Sequence, residues 1–169
     1  MEDRSVEFTV KMKTKYIFEF LYVNSYAGFR AVINYGFSAI AIVALIMGYG
    51  KDSVISLVAL IVLASLFTVV NPALLLFKAW KQSKLNPGFS KPVDYVFSKE
   101  GITLTQGDAK QDAPWEYVLL AQETLGSIIL FTGNNNATIL PKADIGDKLD
   151  DFKALLLEMC PEGCVKLKK

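Results

Sequence analysis

The stretch MGYGKDSVISL, Met47–Leu57, holds the only two charged side chains between Arg30 and Lys78, namely Lys51 and Asp52. Before it, Ala31–Gly50 runs for twenty residues without a charge; after it, Ser53–Phe77 runs for twenty-five. At the helical rise the first run spans roughly 30 Å, the thickness of a bilayer's hydrocarbon core, and the second about 37 Å, enough to cross with tilt. A buried helix of a soluble bundle normally carries a polar stripe, and neither run has one. The expectation is a transmembrane helical hairpin with spans near residues 31–50 and 53–77 and with GYGKD as its polar turn. The first run follows a mixed-charge segment and is longer than the apolar part of a removable signal sequence.

Charge sets the orientation. Lys11, Lys13, Lys15 and Arg30 precede the first run, and Lys78, Lys81, Lys84 and Lys91 follow the second, whereas the tip offers Lys51 offset by Asp52. Basic residues in short flanking segments favour the cytoplasmic side. A multi-pass protein of the cell membrane with both termini cytoplasmic is expected. Arg30, Lys78, Trp80, Lys81 and Lys84 are the candidate membrane anchors. Small and hydroxyl residues on one helix face allow close approach, so Ala41, Ala44 and Gly48 on one run and Ala64, Thr68 and Asn71 on the other are candidate interhelical contacts. Asn34 and Asn71 fall at similar depth, where they would either bond each other or reach headgroups and water. Pro72 is expected to bend the second span near its exit.

The flanks read differently. VEFTVKMK alternates, with Val6, Phe8, Val10 and Met12 on one side, which marks a half-buried strand; the aromatic segment TKYIFEFLYVNSYAGFR reads as an interfacial helix. These make up residues 1–30. A strand ahead of the membrane needs a sheet to join, and only residues 92–169 can supply it. There VDYVFS and ITLTQ form one hairpin around Lys99-Glu100-Gly101, GDAK turns the chain, and PWEYVLLAQET is a third strand with a helical twist at its start. SIILFT and ATILPK form a second hairpin around GNNN. Ile145, Leu149, Phe152, Leu156 and Met159 share one face of a closing helix, with Asp144 or Asp147 as its cap. The fold expected is a membrane α+β protein: a transmembrane hairpin with a small cytoplasmic antiparallel sheet or partial barrel closed by one C-terminal helix.

Trp115–Lys142, WEYVLLAQETLGSIILFTGNNNATILPK, resembles the bacterial YcxB-like family, whose members show an aromatic-led strand, an ET-type break, an apolar strand and a PK ending. Trp115, Glu123-Thr124 and Leu140-Pro141-Lys142 stand at those places; Ile145 stands where the family pattern has an aromatic. The resemblance implies a pleckstrin-homology-like (PH-like) C-terminal domain and a Gram-positive source, and it brings no catalytic residues. Some membrane proteins with similar domains confer bacteriocin resistance.

Function classes narrow by subtraction. The chain has no histidine, which removes the commonest general base and metal ligand. It also lacks a phosphate-cradling glycine loop and a nucleophile elbow. Cys160 and Cys164 lie in CPEGC with no second ligand pair, so they read as reduced thiols. Residues 92–169 carry eight lysines against twelve acids, which disfavours nucleic acid. The expectation is a non-catalytic protein without cofactor or metal, whose partners are the lipid bilayer, a protein or peptide, and further copies of itself. Candidate contact loops are Gly107, Asp108 and Lys110, and Asn134, Asn135 and Asn136; Trp115 is either core or a recognition aromatic. The alternative function is immunity to a bacteriocin or other toxic peptide, or resistance to envelope stress.

Overall fold

The computed structural model describes residues 5–26, 29–48, 53–133, 136–161 and 163–168. The chain divides into two units: residues 1–20 with 82–169, rich in strands, and residues 21–81, which are helical.

In the strand-rich unit, β1 (Val6–Val10) alternates buried and exposed residues, as its period-two sequence requires. Helix α1 (Thr14–Ser25) follows it. In the helical unit, α2 (Phe29–Gly48) and α3 (Val54–Ser65) are continuous apolar helices. The second then passes through a π turn at Leu66–Val70 into α4 (Asn71–Leu85). Both are long and apolar enough to span a membrane; in their most apolar windows 11% and 0% of residues are buried within the protein. The tip residues Lys51 and Asp52 lie outside the described residues.

The π turn sits where Pro72 was expected to disturb the helix. Asn71 N–H reaches back five residues to Leu66 O, and Pro72 has no N–H to carry that ladder on to Phe67 O. The Tyr26 hydroxyl donates to Phe67 O instead, at 2.5 Å, and accepts from Asn71 Nδ2 at 3.2 Å. Tyr26→Phe leaves that carbonyl without its donor. It should cost about 1–2 kcal/mol, read as a lower melting temperature of the full chain in detergent.

After a 3₁₀ turn at Pro87–Phe89, the chain enters β2 (Val93–Phe97), β3 (Ile102–Gln106) and β4 (Ala109–Ala113). A second 3₁₀ turn, Trp115–Tyr117, leads to β5 (Leu120–Glu123), β6 (Ser127–Phe131) and β7 (Ala137–Pro141). Then come α5 (Lys142–Ile145), α6 (Leu149–Met159) and β8 (Val165–Lys166). Among the described residues the strands make two four-stranded sheets, β1-β2-β3-β4 and β7-β6-β5-β8, antiparallel throughout except for β5–β8. β1 pairs with β2 with Phe8 opposite Tyr95, so the strand ahead of the apolar helices is built into the sheet that follows them. The inner faces of both sheets and α6 share one core. Phe97 and Phe152 lie at its centre with ring centroids 4.7 Å apart, and each contributes about 2–3 kcal/mol by burial. Trp115 belongs to this core, and its indole N–H donates to Ser98 O at 2.8 Å.

Three local expectations change. GDAK is not all turn: Gly107-Asp108 make a two-residue hairpin loop and Ala109 opens β4. The helical twist expected at the start of the third strand is the Trp115–Tyr117 turn, and the strand itself is shorter than expected, Leu120–Glu123. The closing helix breaks at Gly146, whose φ is +62°. Lys148 caps α6 without a side-chain bond, and the Asp144 carboxylate accepts instead from Lys11 N–H at 3.0 Å.

Candidate functional site

Glu123, Thr124 and Lys142, three of the residues on which the resemblance rests, meet at the β5–β6 turn. Glu123 is buried, and its Oε1 takes the ammonium groups of Lys142 and Lys153 at 2.6 and 3.0 Å. Its Oε2 accepts from Lys168 N–H at 2.8 Å. Lys142 also donates to Thr124 O at 2.9 Å, while the Thr124 hydroxyl donates to Ser127 O at 2.9 Å. Burial opposes ionisation of Glu123, but the bonds from Lys142, Lys153 and Lys168 outweigh it and hold its carboxyl down at about 2. The cluster ties β5, the start of α5, α6 and the C-terminal tail together. All its polar groups are engaged, so it is built for stability. On the other side of the same turn, Gly126 N–H donates to Glu19 Oε1 of α1 at 2.7 Å.

An open surface lies at the far end of the other sheet. The β1–β4 sheet presents Val93, Tyr95 and Leu104 on its inner face, and toward the β3–β4 hairpin these floor a groove of about 440 Å³. Gln106, Ala109, Lys110 and Gln111 rim it. Gln106 Nε2 is committed to Gly88 O and Lys91 O at 2.9 and 3.1 Å. Burial pushes the Tyr95 phenol up to about 12, so it keeps its proton at neutral pH and is a donor. The groove therefore offers an apolar floor with amide and phenol groups around it, which suits an apolar side chain on a polar backbone.

Of the loop residues picked from sequence, Gly107 and Asp108 form the hairpin tip beside this groove and Lys110 lines it. Gly107 has φ +60°, which a two-residue hairpin with glycine first requires. Its role is thus in the backbone. Gly107→Ala should destabilise the unit by about 1–2 kcal/mol, and Asp108→Ala by less than about 0.5 kcal/mol, in thermal unfolding of the full chain. Asn134 and Asn135 lie outside the described residues; Asn136 O accepts from Thr132 N–H at 3.0 Å.

In the helical unit, Ala41 is buried, and Ala44 and Gly48 are half-buried on α2. Thr68 is exposed and donates to Ala64 O of its own helix at 2.8 Å. Asn34 and Asn71 are engaged separately: Asn34 Nδ2 donates to Ser25 O at 3.3 Å and Asn71 Nδ2 to Tyr26. Ser38, which sequence reasoning passed over, is buried and donates from α2 to Ala64 O at 3.2 Å. It lies three residues before Ala41, so the same face spacing would have found it. Lys78, Trp80, Lys81 and Lys84 are exposed along α4, with the Trp80 ring stacked on Phe77 at 5.9 Å. The side chain of Arg30 lies outside the described residues. Cys160 and Cys164 are free thiols, and burial, then the neighbouring Cys164, push Cys160 up to about 11.

No curated protein and no solved structure gives a significant match to the chain. Residues 97–156, from the end of β2 into α6, are similar to the family described as YcxB-like protein, a match that covers about a third of the chain and takes in Glu123, Lys142 and Lys153 of the cluster but not Lys168.

Proposed function

We propose that this is an integral membrane protein whose α2 and α3–α4 helices cross the bilayer as a hairpin, and whose strand-rich unit is a cytoplasmic, non-catalytic module that binds a protein or peptide at the membrane. The exposure of nearly every large side chain on both helices supports lipid as their solvent. The β1–β2 pairing supports an even number of crossings, because residues 6–10 and 93–97 share one sheet. Lys78, Lys81 and Lys84 then favour the cytoplasm for that side. A four-stranded sheet sharing its core with three antiparallel strands and a C-terminal helix is compatible with a PH-like domain into which the hairpin is inserted after the first strand.

The observation that carries the binding role is the open groove over Val93, Tyr95 and Leu104. A photoreactive leucine analogue at position 104, on the groove floor, tests it against one at position 96 on the outer face of the same sheet, in cells expressing the full chain. The same attached protein should be recovered repeatedly from position 104 and not from 96. Equal capture from both positions, or no reproducible partner from 104, removes the reading.

A further inference from the structure

β4 is the outer strand of its sheet, with β3 on one side. Ala109–Asp112 are all exposed. The phase of its hydrogen bonding follows from the neighbouring hairpin. Ser98 N–H donates to Gly101 O at 2.9 Å, so Ser98 and Gly101 are a hydrogen-bonded pair and the pattern alternates from there. With the observed registers, Thr103 and Thr105 direct their backbone groups to β2, and Ile102, Leu104 and Gln106 direct theirs to β4. On β4, therefore, Ala109, Gln111 and Ala113 bond to β3. Lys110 and Asp112 turn both N–H and C=O outward, and neither has a backbone partner there among the described residues. Such an edge is a template for another strand.

The sequence of the edge selects the strand. Ala109-Lys110-Gln111-Asp112-Ala113 reads the same in charge pattern, with signs exchanged, from either end. We propose that β4 is the seam of a symmetric homodimer, pairing antiparallel with β4 of a second copy so that Gln111 faces Gln111 across the two-fold axis. In that register Lys110 lies opposite Asp112 of the second copy and exchanges both backbone hydrogen bonds with it; Asp112 does the same with Lys110 of that copy. Each ammonium then stands beside a carboxylate on the outer face, where Thr103 Oγ1 already holds Asp112 Oδ1 at 2.5 Å. The adjacent registers that preserve the hydrogen bonding place Lys110 opposite Lys110 or Asp112 opposite Asp112, which costs energy. Charges on an edge strand ordinarily repel other strands; these two are spaced to be neutralised by their own copy. The product is a sheet running β1-β2-β3-β4-β4-β3-β2-β1 through an isologous interface. It does not depend on the groove having a partner.

The test uses the full chain in its native membrane. Gln111 occupies a non-hydrogen-bonded pair across the axis, with Cα atoms about 4.5 Å apart, within reach of a disulfide. Under mild oxidation Gln111→Cys should give a reducible dimer several-fold above the native chain, whose Cys160 and Cys164 set the background. Ala109→Cys and Ala113→Cys should each stay at background alone and crosslink when co-expressed, because 109 faces 113. Lys110→Asp should lower the Gln111→Cys yield about tenfold, and adding Asp112→Lys should restore it. The proposal is overturned if Gln111→Cys stays at background, if Ala109→Cys alone matches it, if the charge swap fails to restore the yield, or if Gln111→Cys attaches to a different protein.

Discussion

Glu123→Gln should destabilise the strand-rich unit by about 3 kcal/mol, because it keeps the shape of the buried side chain while leaving two half-buried ammonium groups without their carboxylate. The same figure follows from proton linkage. Folding moves the carboxyl from about 4.5 to about 2, and that shift corresponds to about 3 kcal/mol. A depressed carboxyl contributes in full above the unfolded value. Its contribution drains as pH falls from about 4.5 toward about 2, since the unfolded chain takes up the proton first. Stability of the native protein should therefore drop through that window, and Glu123→Gln should remove most of the drop. Thermal unfolding of the full chain in detergent, followed by Trp115 fluorescence in a Trp80→Phe background, reads both effects. At pH 7 the melting temperature should fall by more than about 10 °C. A fall of less than about 2 °C, or an unchanged acid limb, would mean that the lysines find equivalent partners without Glu123.

The second large effect concerns the N-terminal strand. Phe8 is buried against Tyr95, Phe97 and Phe152, with ring centroids at 6.1, 5.5 and 5.4 Å. Phe8→Ala should cost about 3–4 kcal/mol. Thr9 points to the opposite face, where its hydroxyl donates to Asp94 at 2.5 Å, and Thr9→Ala should cost about 1 kcal/mol or less. The contrast tests the register of β1 on β2, since a one-residue slip exchanges the faces. Equal costs at the two positions would show that residues 6–10 are not part of this sheet.

Strong local periodicity made much of the fold legible. VEFTV shows its inward face in the sequence, and the need for a partner sheet followed from it. The apolar runs announce their helices by length. Ile145, Phe152 and Leu156 are buried as their spacing suggests. β4 was hidden for a physical reason. AKQDA borders an open groove and a free edge, so its inward positions, Ala109, Gln111 and Ala113, carry no strong apolar signal. β8 is two residues long, below any periodic signature. The π turn was visible only as a proline; that Tyr26 would supply the missing donor depends on a contact forty-one residues away. The Glu123 cluster gathers residues 123, 142, 153 and 168 from separate elements. Its members could be noted as a pattern at Glu123-Thr124 and Lys142, but their meeting is a property of the tertiary fold. The groove is likewise a gap left between elements, and sequence pointed only to the hairpin tip beside it.

The central claim is that the two apolar helices lie in the bilayer and return the chain to the cytoplasmic side. Single thiols introduced at Ser53 and Ser98, in a chain whose native cysteines are replaced by alanine, test it directly with a membrane-impermeant maleimide on intact cells. Labelling at 53, and at 98 only after the membrane is opened, is the predicted result; labelling at 98 with protection at 53, or equal labelling of both in intact cells, would contradict it.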